Sequence, residues 1–147
     1  MPPHPCNPHI RNGAVAQCLI RVSRHPKWGI SKLLFLLTGC DLGRPLPLST
    51  FLPHPQGIVV GSHVQIGEQV VIGHQVTLGG RNLKIEDMPT VQDRAYLGAG
   101  CKILGKVTIG RGATVGANAV VTRDVPAGGV VVGANRLLVG KKSAYNT

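Results

Sequence analysis

A six-residue periodicity runs through the chain from Ile58 to Val121. Aliphatic residues recur every sixth position, usually followed by glycine, at Val60, Ile66, Ile72, Leu78, Val91, Leu97, Ile103, Ile109, Val115 and Val121. A second set lies two residues earlier, at Ile58, Val64, Val70, Val76, Ala95, Cys101, Val107, Ala113 and Ala119. A helix would space its apolar residues by three and four, whereas a short strand and turn that stack on the next coil repeat every six. The repeat predicts an all-β solenoid, with an antiparallel sandwich as the alternative.

The repeat divides the 147 residues into three segments. Residues 1–40 precede it, and their partial helical spacing, interrupted at His25-Pro26, predicts two short helices. The solenoid is expected over residues 41–125. Residues 126–147 depart from the repeat and are expected to form a C-terminal cap and tail.

The periodicity breaks once, between Leu78 and Val91. The distance between them is one position more than two repeats, and the segment GGRNLKIEDMP between them is polar and contains a proline. We expect a loop over residues 80–90 to leave the coil here. Loops on rigid scaffolds often carry binding chemistry, although a tolerated insertion without function has the same sequence pattern.

Composition limits the classes of partner and compartment. The 16 Lys and Arg residues against 6 Asp and Glu residues give a net charge of +10, which suits phosphates, acidic glycans or anionic membranes. Aromatic residues make up only 3% and no reader motif is present, so nucleic acid is not an expected partner.

The chain start lacks a signal-peptide pattern, so a cytoplasmic location is expected. The widely spaced cysteines indicate reduced thiols and no metal site: Cys6, Cys18, Cys40 and Cys101.

Five segments resemble the hexapeptide-repeat acyltransferases, in the branch of serine acetyltransferase and the related sugar O-acetyltransferases. They are LPHPQGIVVG (52–61), VTLGG (76–80), LGAGCKILG (97–105), VTIGRGATVGANAVVTRDVP (107–126) and VVGANRLLVGK (131–141). The resemblance covers about residues 41–142. It implies a left-handed parallel β-helix of triangular cross-section, assembled as a homotrimer whose active sites lie between subunits.

The same resemblance implies acetyl transfer from acetyl-CoA to a hydroxyl, with three residues in catalytic roles. His54 matches the histidine of H-x-x-G-I-V-V-G, the general base, and an imidazole suits this task near neutral pH. Gly80 matches the glycine whose N–H stabilises the oxyanion, although corner geometry alone also explains a glycine. Asp41 is the candidate partner acid of His54. It lies two residues nearer the base than the family's acid does, and a turn or N-cap role is the alternative.

Coenzyme A is expected, by resemblance, along the groove between adjacent coils. Small corner residues would approach the pantetheine through their backbones, and C-terminal cations would face its phosphates, although such cations are also ordinary on a solvated surface. The residues assigned to this contact are Gly79, Gly98, Ala99, Gly100, Ala117, Arg136 and Lys141. No metal is expected.

Two departures from the serine acetyltransferase pattern bear on the acceptor. That branch carries an aspartate immediately before the base and an Arg-His pair after T-L-G-G, where this chain has Pro53 and, approximately, Asp87-Met88. Without these charges a zwitterion is held less well, so a sugar hydroxyl of polysaccharide biosynthesis is the expected acceptor. Serine is the alternative acceptor, and a non-catalytic CoA-binding solenoid or scaffold is the alternative function.

Two further features leave alternatives open. His54, His63 and His74 invite comparison with the three-histidine zinc site of the β-helical carbonic anhydrases. The spacing does not match that site, so His63 and His74 are expected as exposed corner residues. The apolar stretch 33–37 suits the open end of the solenoid, a neighbouring subunit or a peripheral membrane contact, and covering the open end is preferred.

Overall fold

The computed structural model describes residues 12–24, 28–82, 87–138 and 140. Two helices, α1 (Ala14–Arg24) and α2 (Trp28–Thr38), come first, as predicted. The strands that follow in this part of the chain are β1 (Asp41–Leu42), β2 (Val59–Val60), β3 (Gln65–Ile66), β4 (Val71–Ile72), β5 (Thr77–Gly79), β6 (Thr90–Val91), β7 (Tyr96–Leu97), β8 (Lys102–Leu104), β9 (Thr108–Ile109), β10 (Thr114–Val115), β11 (Val120–Val121), β12 (Val130–Val132) and β13 (Arg136–Leu137). Neither helix in the described part of the chain has the length and hydropathy of a membrane-spanning segment.

Successive strands join three different sheets, so the chain winds around a three-sided coil. The first sheet has the order β1-β2-β5-β8-β11, the second β4-β7-β10-β12-β13, and the third β3-β6-β9. Pairing is parallel except between β12 and β13. Val59 lies opposite Thr77, so one coil takes three hexapeptides, one for each sheet. The fold is the predicted left-handed parallel β-helix.

The two aliphatic sets of the repeat form the core. Ile58, Leu78 and Ile103 are fully buried, and so are nearly all other members of both sets, whereas Ile66 is partly exposed. Close stacking explains some of the corner glycines. A Cβ added at Gly98 would lie 2.6 Å from the backbone nitrogen of Ala117 in the next coil, so a side chain there would push the coils apart.

The loop between the first and third sheets is longer than the repeat indicates. Register partners elsewhere in the first sheet, such as Lys102 and Val120, are three hexapeptides apart, whereas Thr77 and Lys102 are separated by seven positions more than that. The loop therefore inserts seven residues, and the sequence count of one extra residue was wrong. The count failed because it assumed that two hexapeptides separate Leu78 from Val91. The chain in fact returns to the coil at Thr90, in the third sheet, which is only one hexapeptide after β5.

The C-terminal end of the solenoid lies beyond the predicted boundary at residue 125. Strand β12 pairs in parallel with β10 and extends the second sheet to Val132. Strand β13 then turns back and pairs antiparallel with β12, which closes this edge. The boundary was missed because the segment around Pro126 breaks the sequence pattern while the coil itself continues.

Helix α1 covers the N-terminal end of the core. Its residues Ala16, Leu19 and Ile20 are buried against the first coil. In α2 only Leu34 of the stretch 33–37 packs against the core, while its neighbours remain exposed, at 54% for Leu33, 54% for Phe35, 79% for Leu36 and 71% for Leu37. The expectation that this stretch covers the open end was therefore wrong, because α1 already occupies that position.

Candidate functional site

His54 lies in a corner that contains two extra residues. Phe51 pairs with Val71, and Val59 pairs with Thr77. The chain therefore takes two residues more to pass from Phe51 to Val59 than it takes in the next coil to pass from Val71 to Thr77. The coil as a whole still spans three hexapeptides, because Asp41 pairs with Val59. The extra length makes the corner project, and the His54 side chain is exposed.

The buried amide of Asn12 holds the segment that leads into this corner. Its Nδ2 donates a hydrogen bond to the carbonyl of Thr50 over 2.7 Å, and the N–H of Leu52 donates to its Oδ1 over 2.7 Å. Asn12 is only 8% exposed. The sequence contains no local signal for this role, because Asn12 is distant in the chain from both of its partners.

A cavity of about 740 Å³ lies between the helices and the corner of His54. Apolar side chains line it on the helix side, including Val15, Leu34 and Leu37, whereas His54, Gln56 and His74 line it on the solenoid side. Among the described lining residues there is no Asp, Glu, Lys or Arg. The cavity therefore suits a neutral ligand better than a charged one.

His74 shares this cavity with His54. The two ring centroids are 6.2 Å apart and the ring planes meet at 73°, an edge-to-face arrangement. His74 is partly buried, so its assignment as an exposed corner residue was wrong, whereas His63 is exposed. The signal in the sequence that could have predicted this contact is the separation of the two histidines, which equals one coil plus the two extra corner residues. Within the described residues no group of three or more His, Cys, Asp or Glu could hold a metal ion.

Asp41 and His54 line different cavities. It is exposed in β1 opposite Val59, and it lines a second cavity of about 440 Å³ together with Lys32. Within the part of the chain that the structure describes, no hydrogen bond or ion pair engages its carboxylate. Its role as the partner acid remains a prediction.

Within one chain, Gly80 and His54 lie in corners at opposite ends of the strands of the first sheet. Strand β5 separates Gly80 from Gln75, whose N–H donates to the carbonyl of Gln56 in the corner of His54. Five residues at the rise of a strand span about 16 Å. Within the described residues the N–H of Gly80 has no backbone partner. A Cβ at Gly80 would lie 2.8 Å from the carbonyl oxygen of Asn82, so closure of the loop requires a glycine there in any case.

The corner predicted to contact CoA begins at the cavity. The N–H of Gly100 donates to the carbonyl of His74 over 2.8 Å, and the N–H of Asn118 donates to that of Ala99 over 2.8 Å. His74, Ala99 and Ala117 therefore follow one another along a single corner, and Ala117 is exposed. This corner leads from the His54 cavity toward the C-terminal coils.

The predicted glycines on this path differ in what requires them. Gly98 is needed for coil stacking, and Gly100 has a φ of +71° and would meet the side chain of Asn118 if it carried a Cβ. A Cβ at Gly79, in contrast, would meet nothing within 4 Å, and Gly79 does not have a positive φ. Packing therefore explains the glycines at positions 98 and 100, whereas the packing around Gly79 does not require a glycine there.

One cation at this corner was not singled out from the sequence. Lys102 Nζ donates to the carbonyl of Gln75 over 2.9 Å and to that of Gly100 over 2.8 Å, which fixes its ammonium between two coils. The predicted phosphate contacts lie further on: Arg136 is exposed in β13, and Lys141 lies outside the described residues.

Asp87 closes the base of the protruding loop. Its Oδ1 accepts from the N–H of Lys106 over 2.9 Å, and its Oδ2 accepts from those of Arg81 and Asn82 over 3.0 and 3.1 Å. These bonds, led by that from Lys106, hold the pKa of the Asp87 carboxyl below its ordinary value. The carboxylate at this position is engaged with the loop backbone.

Comparisons with known proteins agree with this architecture. Residues 88–123 match the bacterial transferase hexapeptide (six repeats) family. The serine acetyltransferase of Mycobacterium tuberculosis is 41% identical over 109 residues, which cover 72% of this chain and 48% of the relative. That of Helicobacter pylori strain J99 is 38% identical over 115 residues, covering 76% and 67%. The chain spans about half the length of the Mycobacterium relative and of the Bacillus licheniformis one, which it covers to 50%.

Solved structures show the same likeness. The Brucella abortus serine acetyltransferase in complex with coenzyme A superposes with a TM-score of 0.61 at 33% identity, over 70% of this chain and 40% of that one. The Neisseria gonorrhoeae serine acetyltransferase in complex with serine gives a TM-score of 0.59 at 30% identity, over 78% and 52%. Both superpositions extend beyond the repeat residues matched by the family.

Proposed function

The chain belongs to the hexapeptide-repeat transferases, in their serine acetyltransferase-like branch, and from this premise we propose that it transfers an acetyl group from acetyl-CoA to a hydroxyl. The observation that carries the proposal is the exposed imidazole of His54, at a cavity from which a corner of small residues leads along the coils. The Brucella abortus neighbour, solved with coenzyme A, supports acetyl-CoA as the donor.

His54 is proposed as the general base. Its imidazole removes the proton of the acceptor hydroxyl, and the oxygen attacks the thioester carbonyl, whose oxygen gains negative charge. When the C–S bond breaks, the CoA sulfur leaves as a thiolate and takes the proton from the imidazolium. The developing oxyanion needs a fixed donor, and the N–H of Gly80 is a candidate because no described backbone group engages it.

The positions of His54 and Gly80 support an active site shared between copies. About 16 Å of strand separates the two corners within one chain, too far for both to act on one carbonyl. A neighbouring copy in a trimer could present its Gly80 to this His54. Light scattering after size exclusion measures the assembly directly, and a monomer with full activity would contradict this arrangement.

L-serine is the first acceptor we propose, since the curated relatives are named serine acetyltransferases and one neighbour was solved with serine. A sugar hydroxyl is the second candidate. It is favoured by the lining of the His54 cavity, where the described residues include no carboxylate, ammonium or guanidinium to pair with a zwitterion.

The test is the release of free CoA from acetyl-CoA, with L-serine compared with a panel of sugars and oligosaccharides. Stimulation by serine alone identifies a serine acetyltransferase, and stimulation by a sugar alone identifies the second candidate. His54→Asn should abolish turnover and leave CoA-dependent thermal stabilisation intact. Full turnover by this variant would contradict the general-base role. CoA binding without turnover on any acceptor would favour a non-catalytic CoA-binding solenoid.

A further inference from the structure

Helix α2 presents a continuous apolar surface to solvent. Leu33, Leu36 and Leu37 lie at spacings of three and four residues, so they occupy one side of the helix, and each is more than half exposed. Val15 of α1 is also half exposed and lines the His54 cavity together with Leu37. Single exposed leucines are common on protein surfaces, but adjacent ones usually mark a contact surface.

The two helices that carry this surface contain basic residues and no acidic ones, whereas Asp41, which lines the second cavity with Lys32, follows α2. Residues 1–40 contain five Lys and Arg residues and no Asp or Glu. Arg21 in α1 and Lys32 in α2 are both exposed. Each helix has 11 residues and is about 16 Å long. Lys32 precedes Leu33 directly and lies four positions before Leu36, so it borders these leucines on α2, whereas Arg21 lines a separate cavity with Leu48.

We propose that α1 and α2 bind the surface of an anionic lipid membrane through this surface, called the helix surface and defined by Val15, Lys32, Leu33, Leu36 and Leu37. Leucine side chains enter the boundary between headgroups and acyl chains, while the neighbouring Lys32 meets lipid phosphates. A helix of about 16 Å is half the thickness of a hydrocarbon core, so α2 lies in the plane of the interface.

The charge pattern favours a membrane over a second copy of the chain. A symmetric contact through the helix surface would bring the Lys32 side chains of both copies into one interface, and none of the residues that define this surface is acidic. An anionic bilayer supplies the missing negative charge together with an apolar layer. The membrane is thus the partner that matches both properties of the helix surface.

Docking in this way would open the His54 cavity toward the lipid surface, because Val15 and Leu37 belong to both. The binding does not depend on acetyl transfer, so it can be tested in the absence of any substrate. The chain has one tryptophan, Trp28, which begins α2 and serves as a fluorescent reporter for this helix.

The experiment is co-sedimentation of the full chain with vesicles of phosphatidylcholine alone or mixed with phosphatidylglycerol, together with the emission spectrum of Trp28. We expect binding and a blue shift with the anionic vesicles only, weakened at least fivefold when salt is raised from 50 to 500 mM. The double variant Leu33→Asp/Leu36→Asp should lose at least tenfold in affinity. Lys32→Glu should lose severalfold, whereas Arg123→Glu, at the other end of the solenoid, should bind as the wild type does.

Circular dichroism and thermal melting check that each variant is folded. Equal binding of wild type and the double variant, or no preference for anionic vesicles, would overturn the proposal. It would also be overturned if wild type ignored vesicles and the folded double variant changed oligomeric state in light scattering, because the helix surface would then be a contact between copies.

Discussion

The imidazole of His74 packs edge to face against that of His54, with 6.2 Å between the ring centroids. The two residues lie in successive coils and meet because the corner of His54 projects by two extra residues. Within the described residues, the His74 imidazole is the only aromatic ring or hydrogen-bonding side chain recorded in contact with the His54 imidazole. His74 is therefore the residue best placed to limit how His54 rotates.

His74→Ala is expected to lower kcat by about 2- to 10-fold, since an aromatic pair contributes about 0.5–1.5 kcal/mol and the freed ring loses orientation. His74→Phe retains the edge-to-face packing and should preserve most of the rate. Steady-state release of CoA measures both variants, with CoA-dependent thermal stabilisation as the check on donor binding. If Phe were as slow as Ala, the ring nitrogens of His74 would be the important feature; an unchanged Ala variant would contradict any role.

Gly79→Ala and Gly98→Ala form a matched pair. A Cβ at Gly79 meets nothing within 4 Å, so the variant should fold with a free energy of unfolding within about 0.5 kcal/mol of wild type. If Gly79 approaches CoA through its backbone, this folded variant should lose CoA affinity at least tenfold in calorimetry. Gly98→Ala should be destabilised by about 1–3 kcal/mol, because its Cβ would lie 2.6 Å from a neighbouring backbone nitrogen. Unchanged CoA affinity in Gly79→Ala would remove that residue from the binding site.

The thiols should differ sharply in reactivity. Burial raises the pKa of the Cys101 thiol to about 12, so at pH 8 it is both protonated and enclosed in the core. Cys18 is exposed and lines the His54 cavity. Iodoacetamide should modify Cys18 in the native protein and Cys101 only in denaturant, as read by mass spectrometry of peptides. A ligand that fills the cavity should slow labelling of Cys18, and native labelling of Cys101 at a similar rate would contradict the buried environment.

Asp87 should make closure of the loop sensitive to acid. Its pKa is lowered in the folded protein by the N–H groups of Lys106, Asn82 and Arg81, so the unfolded state binds the proton more readily. The stabilisation is complete above the ordinary Asp pKa of about 4 and is lost as pH falls through the lower folded value. Asp87→Asn should produce the open loop at neutral pH. Amide hydrogen exchange at Arg81 and Lys106 measures this, since both amides should lose protection.

Asp124→Asn is the matched control for this experiment. Asp124 Oδ1 accepts from the N–H of Thr108 over 2.7 Å, a similar bond that lies outside the protruding loop. This variant should expose the amide of Thr108 and leave those of Arg81 and Lys106 protected. Loss of protection in the loop in both variants would mean that the effect is global and not a property of Asp87.

The solenoid could be predicted because its signal is periodic. Each inward residue of the repeat must be aliphatic for its own coil to be buried, so the core positions were visible one by one, from Ile58 to Val121. The features that departed from prediction are those without a period. The loop length was misjudged because an insertion hides the phase, and the end at Val132 was missed because Pro126 interrupts the pattern.

The candidate site was harder to predict because it depends on contacts between distant residues. His54 and the Ala99–Ala117 corner follow from motifs, whereas Asn12 and Lys102 act through hydrogen bonds to backbone carbonyl and amide groups, which leave no pattern in the sequence. The covering of the open end by α1 depends likewise on which of the two apolar segments packs against the first coil. Composition alone does not distinguish Leu19 from Leu36 in this respect.

The coil that carries His54 shows how this architecture separates chemistry from stability. It keeps the standard length of three hexapeptides but has two fewer residues between Asp41 and Phe51 and two more in the corner that follows. Because a coil of a solenoid contacts only its immediate neighbours, residues can be shifted from one side to the next without disturbing the layers beyond. The length of the corner thus determines how far the imidazole extends from the coil. Lengthening or shortening it would change how far the imidazole of His54, the proposed base, extends from the coil, while the stack below stays in register.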